Sequence, residues 1–116
     1  MNKDWTTIRE RYLRDEVPTR LGGLAANLSR IKSFANNEKN KSLVEGLIEE
    51  SKHFIEWTAQ ETEIETAAKL VELQVELAVW QIRMNHIWLD ADQRKQISEK
   101  SHTWSQQVLM ASGLLS

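Results

Sequence analysis

The sequence predicts an all-α protein, an antiparallel up-and-down four-helix bundle preceded by a short N-terminal helical segment. Three observations point there. Apolar residues recur every three or four positions along almost the whole chain, the period of a half-buried helix. Turn formers are scarce, with one proline and four glycines among 116 residues, so the elements are long and the connections few. Helix-start signals stand where one periodic segment gives way to the next. A length of 116 residues suits one domain, 1–116, with a real core.

The first element is a short amphipathic segment, about residues 4–14, in which Trp5, Ile8 and Tyr12 share a face. Pro18 then fits the opening of a helix, where its missing N–H costs nothing. That first bundle helix runs over about 18–35, with Leu21, Leu24, Leu28, Ile31 and Ala35 on one stripe. Gly22, Gly23, Ala25 and Ala26 lie beside the stripe. Two adjacent glycines weaken a helix by roughly 1 kcal/mol each relative to alanine. Either a close approach of a neighbouring helix compensates, or the helix kinks or starts late at Gly23.

Residues 36–41, rich in asparagine, form the clearest loop. The second bundle helix, about 42–60, starts at Ser42 with Glu45 completing a capping box. Leu43, Val44, Leu47, Ile48, Phe54 and Ile55 mark its buried face. Thr58 with Glu61 and Thr62 with Glu65 both have the capping-box spacing, and Thr62 is favoured as the start of the third bundle helix, about 62–89. Asp90 caps the last helix, about 91–112, with Gln93 at the reciprocal position and Gly113 placed for a left-handed C-cap. Ile97, Trp104, Val108 and Ala111 are expected on its inner face.

Charge is uneven. Residues 1–41 carry nine Lys/Arg against five Asp/Glu, and residues 42–76 carry two against nine. The basic first segment is therefore expected to pack beside the acidic middle one. The net charge of −2 gives no general pull toward nucleic acid. No apolar run reaches the roughly 18 residues needed to span a bilayer, and the first residues do not read as a secretory leader. A cytoplasmic protein with no membrane or nucleic-acid partner is the expectation. With no cysteine, a thiolate metal site or cysteine nucleophile is excluded.

The third bundle helix is the unusual element. One apolar stripe contains Leu70, Leu73, Leu77, Trp80, Met84, Ile87 and Trp88; a second contains Ile64, Val71, Val75, Ala78, Ile82 and Leu89. Between them runs a row of amides, Gln74, Gln81 and Asn85. A helix apolar over so much of its circumference is buried on most sides. Either the second stripe meets a second copy of the chain, or the N-terminal segment with Trp5 and Ile8 covers it. The candidate interface or ligand-lining residues are Gln74, Leu77, Trp80, Gln81, Met84, Asn85 and Trp88. The amides fix helix register in one reading and hold a polar ligand beside Trp80 and Trp88 in the other. Trp57, near the edge of the second helix's buried face, is a further candidate for a partner contact.

Two Glu-x-x-His patterns, Glu50–His53 and Glu99–His102, resemble the ligand pairs of ferritin-like di-metal bundles. Direction argues against them. His53 lies about 140° from the centre of its helix's apolar face, and Glu99 and His102 lie nearly opposite theirs. The helix over 18–35 also contains no Asp or Glu. No nucleophile, base and orienting group assemble by spacing, and there is no glycine-rich phosphate loop. The expectation is a non-catalytic interaction protein without a cofactor, a homodimer formed through the third bundle helix. A small-ligand-binding bundle with a Trp/amide pocket is the alternative, and a ferritin-like di-metal protein a remote one.

Overall fold

A computed structural model describes residues 3–114. They form five α-helices: α1 (Trp5–Leu13), α2 (Val17–Phe34), α3 (Lys41–Thr58), α4 (Ile64–Trp88) and α5 (Ala91–Ser112). There is no strand among the described residues. The last four helices make an all-α bundle. α2 packs most extensively against α5 and next against α3, and α4 closes the square against α3 and α5.

The helix ends follow local chemistry. Asp4 caps α1 by accepting from the Thr7 amide at 3.2 Å. Asp90 caps α5 by accepting from the Asp92 amide at 2.9 Å, and Gln93 bonds back to its carboxylate at 3.3 Å. Gly113 ends α5 at φ 78°, a conformation that any Cβ would strain. Two expected starts differ. α3 begins at Lys41, one residue before Ser42, because a 3₁₀ turn over Glu38–Asn40 leads straight into it. Thr62 does not cap α4. Its hydroxyl bonds the Ala59 carbonyl at 2.6 Å to close a second 3₁₀ turn, and α4 starts at Ile64.

The expected stripe of α2 is fully inside, from Leu21 to Ala35. The helix is unbroken through its glycine pair. A Cβ on Gly22 would come within 2.8 Å of the Leu114 side chain, so a close approach is what the glycine permits. The inner face of α5 is not the expected one. Ile97 and Val108 are buried, but so are Ser98, Ser101, Ser105 and Ser112, while Ala111 is exposed and Trp104 only half-buried. The Ser98 hydroxyl donates to the Lys32 carbonyl and the Ser105 hydroxyl to the Ala25 carbonyl, both at 2.8 Å. A serine hydroxyl is short, so it reaches a carbonyl of another helix only where two backbones lie close. On α3 the buried face is Val44, Ile48, Ser51, Phe54, Ile55 and Thr58; Leu43 is exposed and Leu47 half-buried.

The basic and acidic segments do meet. Buried Arg20 pairs with Glu61 at 2.7 Å and also donates to the Asp15 carbonyl at 2.8 Å. Lys3 lies 3.6 Å from Glu50. α1 folds back on α3: Tyr12 stacks on Phe54 with ring centroids 3.9 Å apart, and its hydroxyl donates to the Arg20 carbonyl at 2.6 Å.

Two predictions follow from this packing. Ser105→Leu forces α2 and α5 apart and costs about 1–3 kcal/mol, the usual range for overpacking. The exposed control Gln106→Leu stays within about 0.5 kcal/mol, both read from urea denaturation. Burial pushes the Tyr12 hydroxyl up to about 12 from its ordinary value of 10.0. The folded pKa is raised, so the stability tied to neutral Tyr12 is complete below pH 10 and is lost as pH rises toward 12. Between those pH values the wild-type urea midpoint therefore falls more steeply than that of Tyr12→Phe.

Candidate functional site

α4 presents three faces. Its inner stripe, Leu70, Leu73, Leu77, Trp80, Met84, Ile87 and Trp88, is buried in the bundle core. Trp88 also ties α4 to the loop between α2 and α3, donating from its indole to the Glu38 carbonyl at 2.6 Å. Four of the candidate interface residues, Leu77, Trp80, Met84 and Trp88, are therefore core residues of the chain's own bundle.

The amide row faces α3. The Gln74 amide nitrogen lies 3.4 Å from the Lys52 carbonyl, Lys52 donates to Gln81 at 2.7 Å, and Lys41 donates to Asn85 at 2.7 Å. These contacts lie along the rim between the two helices. A shallow groove of about 230 Å³ there is lined by Glu49, Lys52, His53, Glu56, Gln74 and Gln81, and no tryptophan reaches it. The amides sit on the rim facing α3, whereas Trp80 and Trp88 are buried among the core residues. Trp80 also lines a groove of about 330 Å³ on the opposite side of α4, with Val79, Arg83, Gln93, Gln96 and Lys100.

The third face is the second apolar stripe, and it lies open. Ile64 is 87% exposed, Ile82 84% and Leu89 86%; Val71 and Val75 are more than half exposed. Val79, beside the stripe, is exposed as well. α1 does not cover it. Trp5 lies instead against His53 of α3, the rings tilted with centroids 4.1 Å apart, and Trp57 packs edge-on to Trp5 at 6.4 Å. Trp57 is thus half-buried beneath α1, inside the same chain.

Neither Glu-x-x-His pattern is brought into a shared site. Glu50 bonds the Asn27 amide at 3.1 Å as well as pairing with Lys3. His53 lies between Trp5 and Trp57, with Nδ1 3.8 Å from Glu56. Glu99 and His102 are exposed on α5. Among the described residues no group of three or more His, Cys, Asp or Glu could hold a metal ion. None of the helices among them is long and apolar enough to cross a membrane.

The residues that the candidate set omitted are those of the open stripe. One signal in the sequence separates the two stripes. The inner one carries the large, irregular fillers Trp80, Met84 and Trp88, suited to a core, whereas the outer one is built mainly of Val, Ile and Ala flanked by Glu65, Glu72 and Gln81. No protein-family model, curated protein or solved structure matches the chain.

The rim position of the amides sets their energetic weight. Gln81→Ala and Asn85→Ala each remove one exposed lysine–amide bond, and each is expected to change unfolding free energy by less than about 0.5 kcal/mol in urea titrations. A loss above about 2 kcal/mol would instead identify a buried network.

Proposed function

We propose that the protein is a non-catalytic interaction module that self-associates through the outer face of α4. The observation that carries this reading is the apolar stripe Ile64, Val71, Val75, Ala78, Ile82 and Leu89 along one helix, exposed at every position except half-buried Ala78. From Ile64 to Leu89 it extends about 38 Å at 1.5 Å per residue. Monomeric proteins seldom leave so long a contiguous apolar strip in water, and strips of this kind mark protein–protein contacts. The stripe runs along the outer side of a regular helix, which suits another helix, although Val75 also borders the groove between α4 and α5. Its β-branched residues are the types that fill helix–helix seams.

Two substitutions on the same helix separate assembly from folding. Ile82→Glu places a charge on the outer face and is expected to yield a folded monomer. Light scattering across a concentration series then reads the 13.5 kDa chain mass, while the wild type reads twice that value. Because a symmetric seam uses Ile82 twice, dimer affinity falls by roughly 100-fold or more, at about 1.4 kcal/mol per tenfold. Leu77→Glu, on the fully buried inner stripe, unfolds the chain and abolishes its helical circular dichroism. A wild type that stays monomeric at all concentrations would overturn the proposal.

A further inference from the structure

The spacing of the open stripe carries a second step, which rests on the self-association proposed above. Its six residues follow one another at intervals of seven, four, three, four and seven. That series reads the same in both directions. Ile64 and Leu89, Val71 and Ile82, and Val75 and Ala78 are each equidistant from the midpoint between Glu76 and Leu77. The intervals also fit a heptad seam, with Ala68, Val75, Ile82 and Leu89 in one register and Ile64, Val71, Ala78 and Asn85 in the other.

We infer that the partner on this face is a second copy of the chain whose α4 lies antiparallel, about a two-fold axis crossing between Glu76 and Leu77. A two-fold interface is isologous, so each residue that touches a partner position is itself touched by the equivalent pair. In this register every large residue at one end meets a large residue of the other end: Ile64 meets Leu89 of the second copy, and Val71 meets its Ile82. The small pair Val75 and Ala78 crosses at the axis, where two helices come closest. Ala68 meets Asn85, whose amide oxygen already accepts from Lys41.

Charge selects the same orientation. Within α4, residues 64–76 hold three glutamates against one lysine, whereas residues 77–88 hold Arg83 and no Asp or Glu. Lys41 of α3 adds positive charge at that second end through its bond to Asn85. Antiparallel pairing lays the acidic half of each α4 on the basic half of the other, with Glu65 toward His86 and Glu72 toward Arg83. Parallel pairing would set acidic half on acidic half and place Asn85 against Asn85 in an apolar seam, both unfavourable. The antiparallel pair closes on itself, so assembly stops at two chains.

The absence of native cysteine makes the orientation directly measurable. Ile64→Cys, Leu89→Cys and Ala78→Cys are made in the full chain, and unchanged circular dichroism melts confirm folding. They are treated with mild oxidant or a short bis-maleimide. Ala78→Cys, near the axis, is expected to cross-link to itself. Ile64→Cys alone and Leu89→Cys alone are expected to remain uncross-linked, since like positions lie about 38 Å apart. An equilibrated mixture of the two is expected to give the mixed dimer. Self-linking of Ile64→Cys would show a parallel pair, overturning the antiparallel register while leaving self-association through α4 standing. A dimer in light scattering with no cross-link at any of the three positions would overturn both, as would a monomer.

Discussion

Ser98 and Ser105 of α5 donate to main-chain carbonyls of α2, and that seam is the constraint from which the rest of the bundle takes its shape. Carbonyls inside a helix already accept from their own ladder, but each has a second lone pair. The serines use it without breaking the helix they touch. Because Ser98 and Ser105 are turned toward α2, the large residues of α5 are turned elsewhere. Trp104 faces α4, where its indole donates to Glu76 at 3.1 Å. The bundle is therefore unequal: small side chains draw α2 and α5 together, while Trp80, Met84, Trp88 and Trp104 fill the space toward α4. The α4–α5 groove of about 330 Å³ is the visible consequence of that wider spacing.

The same asymmetry explains why α1 covers α3 and not α4. The corner between α1 and α2 is fixed by buried Arg20, whose guanidinium reaches Glu61 while its carbonyl accepts from Tyr12. With that corner set, nine residues of helix reach only the neighbouring α3 surface, where Phe54, His53 and Trp57 offer aromatic faces. Rings stacked or tilted at these separations add to simple area burial. The aromatic face of α1 is engaged there, and the outer face of α4 stays open.

How much of this was legible in the sequence depended on whether hydrophobicity alone decided the matter. The two stripes of α4, the cap at Asp90 and the left-handed end at Gly113 follow from periodicity and local backbone chemistry, and both are properties of short segments. The serine seam is different. A hydroxyl counts as polar on any hydropathy scale, so Ala111 and Trp104 read as better inner residues than Ser105 or Ser112. The spacing of Ser98, Ser101 and Ser105 by three and four was the available signal, and it means close helix approach only once the facing α2 carbonyls of Lys32 and Ala25 are identified. Likewise Leu43 reads as core but is more than half exposed, because it lies at the edge of the face centred on Val44, Ile48, Ser51 and Ile55, in the first turn of α3. The candidate site was half legible: the doubly apolar helix stood out, but which stripe faced inward was a question of volume.

That question of volume also bears on what the open stripe is for. The bundle fills its interior with the bulky members of α4 and leaves outside residues that are smaller and mostly β-branched. A core short of material would have drawn Ile82 or Leu89 inward. The inner residues from Leu70 to Trp88 are already nearly inaccessible, so it is complete without them. The most exposed outer residues, Ile64, Ile82 and Leu89, therefore contribute little to the stability of a lone chain, and leaving them in water forgoes the roughly 25 cal/mol per Å² that burial would return. Their regular spacing along one helix face is a cost that the lone chain leaves without an offset, and that is the ground on which the proposed self-association rests.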